Sequence, residues 1–278
     1  MLNKRYYLLK LVLLLLSLLI PPVSAAAGEN LGFSQLTLQD GLSHSSVYCI
    51  FQDKKGFLWF GTDDGLNRYD GYDFKIYHKN NRISGNISSN RIRQILEDPS
   101  GDLWIATFGG GLNRLDVRTN RFEAFLFDKN GNFGTANMIH TMVRTRDILW
   151  IGTVGGLVRF DIRSRTFRRF RISNSDYRLN HVTALERLSD DRLLVGTRYN
   201  GLLQYSISKE TFLPVALGGG EYSDGYVRSI YKDIDGLFWL GFDYQGLLAF
   251  RYNKGTCALL EHEKRLEGRR PRPLQRRD

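Results

Sequence analysis

The sequence predicts an all-β chain built as a β-propeller, and three observations predict it. One short motif returns five times at a nearly constant interval, β-prone segments and turn residues flank every copy, and no stretch carries a helical period. The motif is fullest in FLWFGTDDGLNRYDG, residues 57–71, and returns as DLWIATFGGGLNRLD (102–116), ILWIGTVGGLVRFD (148–161), RLLVGTRYNGLLQYS (192–206) and LFWLGFDYQGLLAFR (237–251). Its anchors Trp59, Trp104, Trp150, Leu194 and Trp239 are spaced 45, 46, 44 and 45 residues apart. Four short strands in about 45 residues are one propeller blade.

Taken in chain order, the first segment is not part of that fold. Lys4, Arg5 and Lys10 flank an apolar run from Leu11 to Ile20, followed by Pro21-Pro22 and VSAAAG, which reads as a secretory signal peptide over 1–25. The run is shorter than the roughly 20 residues a spanning helix needs, so a periplasmic protein with no membrane span in the mature chain is expected. Residues 26–260 hold the repeats, with blades at about 47–77, 92–125, 139–170, 182–215 and 227–260. In each, a β-prone segment (VYCIF, IRQIL, IHTMV, VTALE, VRSIY) precedes the anchor, and turns such as QDKKG, EDPSG or KDIDG separate the two. FSQLTL, 33–38, resembles an N-terminal strand that would clasp the last blade, but the fifth copy already owns a fourth strand near Thr256 to Leu260. An open ring of about five four-stranded blades, part of a propeller of seven or more, is therefore expected. The segment 261–278 is basic, proline-containing and nearly without apolar residues, and reads as a disordered tail.

The columns around the anchor have structural explanations. Four apolar residues in a row, as in FLWF, imply a strand covered on both faces, which neighbouring blades supply. A small residue two places on (Gly61, Ala106, Gly152, Gly196, Gly241) lets the neighbour approach, and a Thr follows in four copies, with Phe242 in the fifth. A Gly-Leu pair then closes the second turn. Further on stand Phe74, Phe122, Phe167, Phe212 and, in the same column, Cys257.

The formal charge of +10 resembles a nucleic-acid signature until it is located. Leader and tail hold ten of the 39 basic residues, leaving a body, 26–263, with 29 basic and 27 acidic residues. No groove for nucleic acid is expected. The arginine-rich RFDIRSRTFRRFR, 159–171, reads as a solvated strand face. Two cysteines exclude a disulfide scaffold and a cysteine metal site. Cys49 and Cys257 fall on the innermost and outermost strands of different blades, beyond disulfide reach, so both are expected as free thiols.

The stretch DGLSHSSVYCIFQDKKGFLWFGTDDGLNRYDGYDF, 40–74, closely resembles the two-component regulator propeller repeat of bacterial periplasmic sensors, most specifically at D-x-x-G-F-L-W-F-G-T and D-G-L-N-R-Y-D-G. Weaker copies run from 33 to about 260, departing at Leu194 and Phe242. The resemblance implies a sensing module of a histidine kinase or diguanylate cyclase, with downstream domains or a second propeller as partners. No kinase or cyclase motif occurs in this chain.

Antiparallel strands bring the crossover into each blade and the turn between its second and third strands to one face. Candidate ligand residues there are His44, Asp63, Asp64, Arg91, Phe108, His181, Arg198, Tyr199, Tyr226, Asp243 and Tyr244, with Asn90, Asn137, Asn180 and His140 nearby. Aromatics, amides and both charges suit a polar ligand such as an oligosaccharide. Enzyme motifs (HExxH, G-x-S-x-G, a Walker loop, a complete EF-hand) do not occur, and no catalytic residue, metal or cofactor is expected. Two other functions stay open. One is a propeller glycosidase or lyase, because DKKGFLW and DPSGDLW resemble Asp-box turns; the other is a protein-interaction scaffold.

Overall fold

The computed structural model describes residues 33–128, 134–217, 222, 224–253 and 256–259, with backbone alone described at 253 and 256–259. The leader and tail expectations lie outside these residues. The chain divides into two units, Met1–Leu36 and Thr37–Asp278. Of the first, residues 33–36 are described and form no regular structure. FSQLTL is thus not a strand: its last residue, Leu38, opens a short 3-10 turn, Leu38–Asp40, whose Thr37 cap accepts from the Gln39 amide.

The second unit holds five four-stranded antiparallel sheets, each in simple sequence order. They are β1–β4 (Val47–Gln52, Leu58–Thr62, Gly65–Tyr69, Phe74–Tyr77), β5–β8 (Ile92–Glu97, Leu103–Thr107, Leu112–Asp116, Arg121–Phe125) and β9–β12 (Ile139–Thr145, Ile148–Thr153, Gly156–Asp161, Phe167–Phe170). Two more follow, β13–β16 (Val182–Arg187, Arg192–Thr197, Leu202–Ser206, Thr211–Pro214) and β17–β20 (Val227–Lys232, Phe238–Phe242, Leu247–Asn253, Thr256–Leu259). The innermost strands β1, β5, β9, β13 and β17 neighbour one another in that order. The sheets are propeller blades that do not close into a ring.

The core is four interfaces between blades, and each is organised by an anchor. Trp59 packs with Ile92, Ile95 and Leu103 of the second blade, Trp104 with Met142, Leu149 and Ile151 of the third, Trp150 with Leu185, Leu193 and Val195 of the fourth, and Leu194 with Phe238 and Leu240 of the fifth. The small column makes this possible: a Cβ built on Gly152 would stand 2.6 Å from Val182 Cγ1 across the interface, and one on Gly196 2.7 Å from Val227 Cγ1. Among the described residues no sheet follows the last anchor, Trp239, which is half-buried. Correspondingly Ile50, whose counterparts Ile95, Met142 and Leu185 are buried, is 63% exposed.

Indoles are also held by polar contacts. The aspartate opening the D-x-x-G turn accepts from the indole Nε1 six residues on: Asp53 from Trp59 (2.8 Å), Asp98 from Trp104 (3.0 Å) and Asp233 from Trp239 (2.8 Å). The other Asp53 oxygen takes the amides of Lys55 and Phe57. Carboxylates in these Asp-box-like turns therefore serve structure. Between blades, the Gln94 side chain donates to Met142 O (2.9 Å) and accepts from Met142 N (2.5 Å), joining β5 to β9.

The phenylalanine column is less buried than its place in the repeat implies. Phe122 is buried, but Phe167 is 44% exposed, because β12 is an outer strand with one face towards solvent. The arginine run there is neutralised across blades: Arg165 pairs with Glu123 (2.7 Å), Arg169 with Asp128 (3.5 Å) and Arg168 with Glu210. Cys49 is a free thiol, pushed up to about 12 by burial, which outweighs the Gly61 amide and the Arg93 charge. The side chain of Cys257 lies outside the described residues.

Candidate functional site

Every blade carries one β-bulge at the same place, and that bulge builds the crossover face. On β1, Val47 pairs with Thr62 and Cys49 with the adjacent Gly61, so Tyr48 is supernumerary. The same shift isolates Arg93, His140, Thr183 and Arg228 in the other blades. A bulged residue leaves the ladder and its side chain is re-aimed.

The turn between the second and third strands supplies the next residues. Its shape is fixed by a latch in which the buried threonine hydroxyl donates to the glycine carbonyl: Thr62 to Gly65, Thr107 to Gly111, Thr153 to Gly156 and Thr197 to Gly201, at 2.7–3.0 Å. Gly111 has φ +71°, and a Cβ there would stand 2.3 Å from Phe125 O, so no other residue fits. In four blades the residue after this column then donates its amide to the crossover: Phe108 to Arg91 O (2.8 Å), Val154 to Met138 O (3.1 Å), Arg198 to His181 O (3.0 Å) and, after Phe242, Asp243 to Tyr226 O (3.0 Å).

Bulge, turn and crossover side chains meet in a chain of contacts across all five blades. The Tyr48 hydroxyl donates to Asp63 (2.7 Å), which also takes Arg91 (3.2 Å) and lies 3.7 Å from Arg93. The Arg93 guanidinium covers the Tyr48 ring at 3.6 Å and the Phe108 ring at 5.2 Å, while Arg91 covers Phe108 at 4.6 Å. Phe108 meets His140 edge-on (5.3 Å), and His140 Nε2 stands 2.8 Å from His181 Nε2. His181 meets Tyr199 at 6.5 Å. Arg198 lies over Tyr199 and Tyr226, at 5.5 and 5.3 Å, and Arg228 over Tyr226 at 4.6 Å while paired to Asp243. In the fourth blade the bulged Thr183 turns inward instead and donates to Val227 O.

The electrostatics favour binding over acid–base work. Four guanidiniums face two carboxylates, so the arc is positive. Asp63 is desolvated, but the Tyr48 hydroxyl, Arg91 and Arg93 together hold it below the usual carboxylate range, the wrong direction for a general acid. Burial, then His181 and the arginines Arg93, Arg198 and Arg228, push His140 down to about 3, and burial, then Arg198, push His181 to about 4, so both rings are neutral. Their shared hydrogen bond needs one ring protonated at Nε2 and the other at Nδ1.

Of the residues expected on this face, Asp63, Arg91, Phe108, His181, Arg198, Tyr199, Tyr226 and Asp243 belong to the arc. Three do not. His44 Nδ1 accepts from the Ser46 amide two residues on, Asp64 turns away to Asn90 and His78, and Tyr244 is 91% exposed with no ring contact among the described residues. The crossover amides are structural: Asn137 and Asn180 each accept two backbone amides and return one bond to a carbonyl, pinning the chain as it enters the next blade. Four arc members were not among the expected ligand residues, namely Tyr48, Arg93, His140 and Arg228. Their signal was available in the sequence: the first position of VYCIF, IRQIL, IHTMV, VTALE and VRSIY is always Val or Ile, while the second changes chemistry in almost every copy.

Comparison with known proteins gives this face a context. The family described as "Two component regulator propeller" matches residues 41–64 and 86–109. "Histidine kinase P4" of Formosa agariphila is 54% identical over 63 residues, 23% of this chain and 5% of that protein. The extracellular domain described as that of the hybrid two component system BT3049 from B. thetaiotaomicron superposes with a TM-score of 0.69 at 27% identity, over 81% of this chain and 31% of that one. That of BT4673 from the same source gives 0.63 at 27% identity, over 79% and 28%. The chain spans less than a third of the length of each relative. Residues 41–64 and 86–109 thus match the two-component regulator propeller repeat, and the five-bladed fold resembles the extracellular propellers of these sensors.

Proposed function

We propose that this chain is the extracytoplasmic ligand-sensing propeller module of a two-component-type sensor, and that the arc from Tyr48 to Asp243 binds a polar ligand such as an oligosaccharide. One observation carries the reading: all five blades contribute side chains to one face, and in four of them the residue released from sheet pairing is among those side chains. Aromatic faces at Tyr48, Phe108, Tyr199 and Tyr226 offer stacking surfaces to sugar rings, and the arginines and imidazoles offer donors to hydroxyls. Since the ligand touches several blades, binding stiffens their relative setting, and downstream domains of a parent sensor would read that change.

Isothermal titration of the purified chain against a panel of defined neutral and acidic oligosaccharides tests this. Saturable binding lost on Arg198→Ala and on His140→Ala, with no cleavage products, is the expected result. Turnover of a glycan selects the glycosidase or lyase reading. Capture of a protein partner with no small-ligand binding selects the scaffold.

A further inference from the structure

A cavity of about 290 Å³ opens between the first and second blades on the face opposite the arc. Its walls include the rings of Phe57, Trp59 and Tyr77 and the side chain of Leu115, with Arg68 among the polar lining. Comparison with the next blade shows what is unusual about Arg68. Its counterpart Arg114 is held by two acidic side chains, Asp102 (Nε to Oδ2 3.0 Å) and Glu123 (3.8 Å). In the first blade the residue at the place of Asp102 is Phe57, and the residue paired with Arg68 across β3 and β4 is Lys75, where Arg114 faces Glu123. Both carboxylates are therefore replaced, one by a ring and one by a second cation. The Arg68 guanidinium rests 4.4 Å from the Phe57 ring centroid, and its buried Nε has no hydrogen-bond partner.

The two carboxylates that do line the cleft are already engaged. Asp53 takes the Trp59 indole and two turn amides, and Glu97 takes the Lys54 amide (3.1 Å) and lies 3.8 Å from its Nζ. Lys55 adds positive charge to the lining, while Arg118, also in the lining, lies 3.8 Å from Asp116. Among the described residues Arg68 has no carboxylate in ion-pair contact, and Asp70 feels its charge only through space; an apolar-walled cleft with such a guanidinium is complementary to a small anion with a flat, apolar body. We propose that this interblade cleft is a second binding site, which takes an aromatic or similarly planar carboxylate with its anionic group on Arg68 and its ring among Phe57, Trp59 and Tyr77. Its volume accommodates one ring and one anionic group, not a chain of sugars, so its ligand differs from that of the arc.

The indole of Trp59 reports occupancy directly. Titrating the full chain with benzoate, while following tryptophan fluorescence and confirming by isothermal titration, is expected to give saturable binding. Benzyl alcohol, of similar size but neutral, should bind at least tenfold more weakly. Two substitutions already present elsewhere in the repeat test the role of Arg68 with little risk to the fold: Arg68→Gln copies Gln204 of the fourth blade, and Phe57→Asp copies Asp102 and supplies the missing partner. Each should abolish benzoate binding while the thermal midpoint stays within a few degrees of the parent. A chain that does not bind benzoate, that binds benzyl alcohol equally well, or that retains benzoate binding in both folded variants overturns the proposal. Where one variant fails to fold, the result from the other decides. Arg198→Ala, which removes a member of the arc, should leave benzoate binding unchanged, so the two sites stand or fall separately.

Discussion

His140 and His181 face each other nitrogen to nitrogen, 2.8 Å apart, across the junction of the third and fourth blades. A doubly protonated pair cannot keep this contact, since two imidazolium rings would both be donors and would repel. Free imidazole titrates near 6.5, and the folded values of about 3 and about 4 lie below that, so the unfolded chain binds more protons as the solution is acidified. This contribution to stability is complete above about pH 6.5 and declines as the pH falls towards 4. Urea midpoints measured at pH 7.5 and pH 5 should therefore differ more for the parent than for a His140→Gln/His181→Asn double variant. Equal shifts in the two proteins would show that the pair does not contribute.

Anchors should not be equivalent. Trp104→Ala opens a cavity inside a closed interface and is expected to cost about 3–5 kcal/mol. Trp239 is half-buried, with no further sheet packed on it among the described residues, so Trp239→Ala should cost clearly less. Chemical denaturation of the two variants side by side measures the difference.

At the narrowest approach between blades, size is the constraint. Gly152→Ala places a Cβ 2.6 Å from both Val182 Cγ1 and Thr141 Cγ2, and the resulting overpacking is expected to cost about 1–3 kcal/mol. Adding Val182→Ala should recover part of the loss in the same denaturation experiment, since one of the two clashing groups is then gone.

The D-x-x-G carboxylate is a structural acceptor rather than a chemical group. Asp98→Ala leaves the Trp104 indole N–H and the Ser100 and Asp102 amides without their acceptor, and should destabilise by about 1–3 kcal/mol. Ligand affinity on the opposite face should be unchanged in titrations run well below the melting temperature.

Cys49 is predicted to be inert in the native chain. Its thiol is raised to about 12 by burial, leaving almost no thiolate at pH 8. Iodoacetamide at that pH should leave the Cys49 peptide unlabelled until denaturant is added, as read by peptide mass spectrometry.

Much of the fold was legible because burial writes a period into the chain. Each indole must meet the next sheet at the same height, and this fixes an interval near 45 residues that composition alone would not produce. The small residue two places on was legible for the same reason, and the Ile92 and Val182 contacts give its cause. The crossover face was legible as a face, and the contacts that join its side chains only partly so. Tyr48, Arg93 and Arg228 lie on strands whose alternation, read regularly, gives no hint of a bulge. His140 stands alone in its stretch of sequence, and its partner comes from 41 positions along the chain. In the other direction, His44 and Tyr244 shared the loops of true arc members, yet local hydrogen bonding and exposure keep them apart from it. Sequence places a loop on a face more readily than it tells which way a side chain turns.

The supernumerary residue at the head of each blade has an evolutionary consequence. A position excused from the ladder contributes little to register, so its identity can drift from tyrosine to arginine to histidine while the sheet beneath it is left intact. The chemistry of this face can thus be altered one blade at a time, by single substitutions that keep the protein folded.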